Sequence, residues 1–319
     1  MCDSTCDFTA EQAAERGVTI LPFHYVEANK PDGGLSGDDD LFQSRSAHEF
    51  YDAIRHGACP MTSQPSQLEY DEAFREAYES GVPTVLFCIS SGLSGGYEGA
   101  RMSLERLREQ HPDEEVRIYV VDTLVASTPL TLLVQEACRK RDAGLNAEQI
   151  VNWAEEARYY IQGYFTLDSF DALARGGRIP PAAATVGGKL DIKPELSYDL
   201  NGALTLRGMC RGRKKALRAI IADFKANHLT EEDMGGVPMP VGIVSADAEK
   251  DAQWLGDQLR KEPGCADMPI IYSSVSPVIG AHVGPGMVAC VFWGKNRTEK
   301  ISLTDRIANR VRGAESTKA

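Results

Sequence analysis

Residues 83–89, Pro-Thr-Val-Leu-Phe-Cys-Ile, form a short apolar run, followed at once by a serine- and glycine-rich turn and an amphipathic helical pattern. A run of this length flanked by turn signals reads as a strand buried on both faces, the pattern of a parallel sheet. Parallel strands need crossover connections, so the helix at residues 97–110 has to pack back onto that sheet. The rest of the first half repeats the theme. Residues 18–25 and 116–121 read as strands, and residues 11–16, 47–56 and 68–80 as helices. Pro129 stands where a first-turn proline belongs, and its helix runs to about Arg141. Asn146 with Gln149 makes a capping box for the next helix. This alternation predicts a parallel α/β/α unit.

The second half has another grammar. Two strand-like segments, 194–198 and 203–209, flank Asn201-Gly202, a strong hairpin signal. A helix at 214–227, a strand at 241–245, a helix at 250–261 and strands at 270–275 and 287–293 follow. Hairpins mixed with helices predict a mixed-sheet α/β unit. The expected division is residues 1–162 and 163–319, with a boundary near Gly163 and a polar tail from about Leu303. Residues 29–40, rich in Gly and Asp, read as a loop.

Charge and cysteine usage narrow the function classes. The net charge of −12 argues against nucleic acid, whose binders usually carry a basic surplus. No apolar run approaches the length of a membrane span. The first residues show neither the basic nor the apolar part of a signal peptide, so the expected location is the cytoplasm. Eight scattered cysteines, without a CxxC pair or zinc-finger spacing, are expected to be reduced, with no disulfide, structural metal or cofactor.

Five segments could carry chemistry. Ser90-Ser91-Gly92-Leu93-Ser94-Gly95-Gly96 sits between strand and helix, where open α/β sheets bind ligands. Its glycines admit close backbone approach, and the helix start favours an anion. It lacks the Walker lysine and the GxGxxG spacing, which weighs against nucleotide. The same segment also reads as a plain turn with serine caps. Thr62-Ser63-Gln64-Pro65-Ser66 gathers hydroxyls before a proline, and by itself reads as a helix cap. Arg175-Gly176-Gly177-Arg178-Ile179-Pro180 offers guanidinium forks suited to carboxylate or phosphate, or a solvated turn. His282 lies in the glycine-rich stretch 279–286. The run Arg207, Arg211, Arg213, Lys214, Lys215 and Arg218 is a basic island in an acidic chain; cations at a helix start oppose its dipole, which keeps a docking role open.

Taken together, Thr62-Ser63-Gln64-Pro65-Ser66, Ser90-Ser91-Gly92-Leu93-Ser94-Gly95, Gly176-Gly177-Arg178-Ile179 and Gly280-Ala281-His282 with Gly284-Pro285-Gly286 occur in the order and spacing of the DegV family. Asp3-Ser4-Thr5-Cys6-Asp7 resembles that family's N-terminal signature, and Lys193-Pro194 and the basic run near Lys214 are also similar. The resemblance covers Asp3 to about Gly294. It implies a two-domain fold, with a parallel-sheet α/β/α first domain and a mixed-sheet α/β second domain. It also implies binding of a long-chain fatty acid by a non-catalytic subunit of a bacterial fatty acid kinase. Such a subunit presents the carboxylate to a separate ATP-using kinase, which makes acyl phosphate for phospholipid synthesis. Carried onto this sequence, Thr62 and Ser94 hold the carboxylate, assisted by Ser63 and the backbone at Gly95, with His282 close by. Arg178, or else Arg175, resembles the surface arginine of the kinase contact.

The chain departs from the family pattern in places. Met1 stands two residues before Asp3, where members have a full apolar strand. Gly95-Gly96-Tyr97 replaces the usual Gly-Thr-Tyr, and the loop at 29–40 is unusually acidic.

The chemistry is coherent. Burial supplies about 0.8 kcal/mol per methylene, so an acyl tail provides most of the affinity. The head then calls for neutral donors rather than a buried cation. Two other readings use the same residues: a hydrolase with Ser94 or Ser91 as nucleophile and His282 as base, although no GxSxG elbow is present, and a small-anion or nucleotide sensor.

Overall fold

The computed structural model describes residues 1–300 except 28–29, 31–33, 180–190, 234 and 238. The tail from Leu303, part of the 29–40 loop, and Pro180 lie outside the described residues.

The first half builds a four-stranded parallel sheet, ordered β2-β1-β6-β7. Its strands are β1 (Cys2–Asp3), β2 (Ile20–Leu21), β6 (Thr84–Cys88) and β7 (Ile118–Asp122). The apolar run at residues 83–89 is thus an inner strand. Its side chains alternate as a pleat requires. Leu86 and Cys88 join a core with Tyr70, Phe74 and Leu104, from helices α3 (Gln67–Ser80) and α4 (Gly96–Gln110). Phe87 and Ile89 face the opposite core, with Leu130 and Leu133.

Those two leucines belong to α5 (Thr128–Asp142), ten of whose residues are buried. A helix apolar on most sides has to sit inside a protein. α5 does so, because the same core continues into a second sheet through Phe165, Val244, Ala289 and Val291. That sheet is mixed and six-stranded, ordered β10-β9-β8-β13-β11-β12. Its strands are β8 (Ile161–Thr166), β9 (Ile192–Tyr198), β10 (Leu204–Arg211), β11 (Val241–Ser245), β12 (Ile270–Ser274) and β13 (Val288–Trp293). Helices α8 (Arg213–Asn227) and α9 (Glu249–Leu259) cover its other face through Leu217, Phe224 and Leu255. Gly163 lies inside β8, and the core runs without a break from one sheet to the other.

The parallel sheet, the mixed sheet, the hairpin and the Asn146 capping box agree with the sequence reading. One feature does not: a third sheet, antiparallel and three-stranded, ordered β4-β3-β5. Residues 18–25 read as one strand, but the chain leaves β2 at Pro22 and re-pairs as β3 (His24–Val26). Proline donates no ladder hydrogen bond, and the Phe23 N–H is taken by Ser4 Oγ at 2.9 Å. β3 pairs with β4 (Gly37–Asp38) and β5 (Met61–Ser63). The first hydroxyl cluster therefore begins as a strand. Its three residues are too short and too polar to show period-two alternation.

Candidate functional site

Thr62 occupies the centre of β5, paired with Tyr25 of β3. Beyond it Ser66 caps α3 in a capping box with Glu69, so the end of this cluster is structural. The three serines of the second turn separate in the same way. Ser90 is fully buried and donates to Gly202 O at 2.9 Å, so it fastens the hairpin tip. Ser91 is exposed and donates to Asp122 Oδ2 at 2.5 Å. Ser94 faces a cavity, and its Oγ accepts from Gly96 N at 3.2 Å. That leaves the Ser94 hydroxyl proton available to a ligand. The turn itself is held from below, where Asp3 Oδ2 accepts from Ile89 N at 2.6 Å.

The third and fourth motifs meet at the same place. His282 sits on α10 (Pro277–Val283), and its Nε2 lies 2.8 Å from Thr62 Oγ1. The other side of the ring rests on Gly176, at the end of α7 (Asp171–Arg175). A Cβ there would fall 2.3 Å from His282 Nδ1. Only glycine allows this approach. Arg178 Nε donates to Leu93 O at 3.2 Å, and its Nη1 donates to Gly176 O. Arg178 is half-buried and lines the cavity together with Thr62, Ser94 and His282. The turn at Gly177 (φ +69°) brings Arg178 back over Leu93, so it stands in the wall of the pocket. A cation also stands beside the neutral donors. Arg175 is exposed.

The cavity has a volume of about 310 Å³. Ser63, Gln64 and Gly95 add to its polar part. Phe23, Ile89, Phe165, Leu173, Leu204, Val278, Ile279 and Met287 make most of the rest. Both halves of the chain contribute. Mostly apolar walls with a few convergent polar groups are what small-molecule sites share.

Burial and then the Arg178 charge push the His282 imidazole down to about 4, so it is neutral near pH 7. Burial also lowers the pKa of Arg178. A cation held by two carbonyls in a partly desolvated wall is a ready counter-charge for an anion. A hydrolytic triad is not assembled among the described residues. The His282 edge that an orienting carboxylate would need is occupied by Gly176, and Nε2 is engaged by Thr62.

Sequence reasoning missed Ser127 and Tyr198, which also line the cavity. Ser127 carries a signal only the backbone shows, φ 65° and ψ −144° in a non-glycine residue. In the basic run, Arg207 pairs with Asp223, and Arg213 bonds Asp251 and Gly286 O. Neither lines this cavity.

A family model described as "Uncharacterised protein, DegV family" matches residues 1–295. A DegV domain-containing protein of Clostridium perfringens is 32% identical over 259 residues, covering 81% of this chain and 86% of that protein. The solved structure of a DegV lipid-binding protein from Thermotoga maritima is 29% identical with a TM-score of 0.75, covering 93% of this chain and 98% of that one. Another Thermotoga maritima structure, described as revealing a fatty acid binding function, is 28% identical with a TM-score of 0.73, covering 92% and 97%.

Proposed function

The chain belongs to the DegV family, and on that premise we propose that it holds one long-chain fatty acid and presents the carboxylate to a separate ATP-using kinase subunit. The observation that carries this reading is the junction of a mostly apolar cavity with Thr62, Ser94, Arg178 and His282. The acyl tail fills the apolar part, where each buried methylene contributes about 0.8 kcal/mol. The hydroxyls of Thr62 and Ser94 donate to the carboxylate, and Arg178 balances its charge. Neutral His282 orients Thr62 through the 2.8 Å bond. Ser63 and the Gly95 backbone are exposed at the rim, which leaves the head group reachable by a partner.

In this reading the chain transfers no phosphate itself. It needs no cofactor, and the kinase supplies nucleotide and metal. The partner contact falls to exposed Arg175 at the end of α7 rather than to Arg178. Two variants test the parts separately. Thr62→Ala combined with Ser94→Ala is expected to lose its fatty acid during purification and to exchange added fatty acid faster. Arg175→Ala is expected to keep its lipid but to slow acyl phosphate formation with the kinase. Full occupancy and unchanged exchange in the double variant would remove these hydroxyls from the site. Normal turnover of Arg175→Ala would place the kinase contact elsewhere.

A further inference from the structure

The carboxylate of Asp7 is buried, far along the chain from His282, and joins two walls of the cavity. Its Oδ2 accepts from the hydroxyls of Ser127 and Thr128, the latter at 2.6 Å. Its Oδ1 accepts from Ser276 N at 3.0 Å. Ser127 is a wall residue held at φ 65° and ψ −144°, with its own N–H on Thr5 O at 2.7 Å. Ser276 is the residue before α10, whose Val278, Ile279 and His282 face the cavity. One carboxylate therefore fixes a strained cavity-wall residue and the start of the helix that carries His282.

We propose that Asp7 is a positioning residue of the binding site, which clamps the Ser127 wall to α10 and so sets the place of His282 against Thr62. This rests on the fatty-acid reading above. Three features carry it. The side-chain hydroxyls of Ser127 and Thr128 and the Ser276 N–H all donate to the Asp7 carboxylate, so the site requires an acceptor there. Asp39 Oδ2 takes Val278 N at 2.9 Å, which fastens the same helix start a second time. Asp7, by contrast, bonds both Ser127 and Ser276. Finally, Ser127 persists in a backbone region that costs free energy, which needs a surrounding structure that over-determines it.

Asparagine preserves the clamp: its carbonyl takes Ser276 N–H, and its NH₂ meets hydroxyls able to rotate and accept. Alanine removes the acceptor of the Ser276 N–H and of the Ser127 hydroxyl, while Thr128 keeps Ser273 Oγ at 3.0 Å. The experiment compares wild type, Asp7→Ala, Asp7→Asn and Ser127→Ala in the full chain. It uses the ¹⁵N resonances of His282 in lipid-free protein and the dissociation rate of a fluorescent long-chain fatty acid. Asp7→Ala is expected to move the His282 resonances and to speed dissociation by about tenfold, and Asp7→Asn to restore both. Ser127→Ala, which keeps the acidic group and does not touch His282, is expected to move the same resonances in the same direction. If Asp7→Ala fails to fold, the Ser127→Ala and Asp7→Asn pair still decides. Unmoved His282 resonances in a folded Asp7→Ala or in Ser127→Ala would overturn the clamp. The resonances are read without lipid, so a wild-type protein that bound no fatty acid would refute the fatty-acid reading and leave this comparison intact.

Discussion

Gly176→Ala isolates the closest contact in the head-group site. Gly176 has φ −72° and ψ −8°, a right-handed conformation that alanine adopts without strain. In this right-handed conformation alanine is also a better helix former than glycine. Any loss must therefore come from the new Cβ, which would stand 2.3 Å from His282 Nδ1 and 2.9 Å from Cε1. Ordinary contact begins at 3.4 Å, so the ring has to retreat by about an ångström. It is half-buried and engaged by Thr62 on its far edge, so retreat distorts or breaks the 2.8 Å bond. Overpacking of this kind costs about 1–3 kcal/mol, and the lost hydrogen bond about 1 kcal/mol more. Urea unfolding is expected to show a loss of about 2–4 kcal/mol, and fatty-acid dissociation is expected to speed up by about tenfold. Gly177→Ala is the control. It meets nothing within 4 Å but sits at φ +69°, so it is expected to lose about 1 kcal/mol with exchange unchanged. Stability within about 0.5 kcal/mol of wild type for Gly176→Ala, with unaltered exchange, would refute the placement of His282.

Other consequences follow from the same geometry. NMR titration of His282 is expected to give a midpoint near 4, and Arg178→Ala to raise it, since the Arg178 charge helps to lower it; a wild-type midpoint near 6.5 would place the ring in solvent. Arg178→Ala is also expected to weaken fatty-acid retention, as judged by exchange, whereas intact retention would return this arginine to a surface role. Asp3 and Asp7 are each pushed up to about 6 by burial from the ordinary 3.8. A raised native pKa favours the folded state at low pH, so each stabilises below about 4, with the gain lost as pH rises through about 6, up to roughly 3 kcal/mol per group. His282 acts oppositely, losing its contribution as pH falls from 6.5 towards 4. Asp7→Asn is therefore expected to flatten the fall in urea stability between about pH 4 and 6, and an unchanged slope would deny Asp7 its buried titration. Gly92→Ala would push a Cβ to within 2.6–2.8 Å of the backbone of Asn201, Gly202 and Ala203. It is expected to cost at least about 1–3 kcal/mol in urea unfolding by lifting the hairpin tip from the Ser90 turn, and a neutral result would mean that the hairpin does not dock there.

Much of the fold was legible because its strands and helices are long enough to show their period. β6 announced itself through an unbroken apolar run, and α6 (Ala147–Ala157) through its capping box. The three-stranded sheet was not legible. Strands of two or three residues, some polar, carry no periodicity, and pairing between β3 and β5 depends on chain separated by more than thirty residues. At the site, the hydroxyl and glycine motifs marked segments that meet at one cavity. They could not say that Ser90 and Ser91 serve the scaffold while Ser94 faces the cavity, because that follows from partners at Gly202 and Asp122. The place of Arg178 in the pocket wall was out of reach for a similar reason. Whether an arginine in a glycine turn points to solvent or folds back is decided by the φ of Gly177. Ser127 gave no sequence signal, since its strain belongs to the backbone.

Native mass spectrometry of the freshly purified protein tests the central claim most directly. The expected spectrum shows the chain with one bound mass matching a long-chain fatty acid, lost on denaturation and reduced in the Thr62→Ala/Ser94→Ala variant. A delipidated protein that takes up nucleotide or a small anion, and no fatty acid, would contradict it.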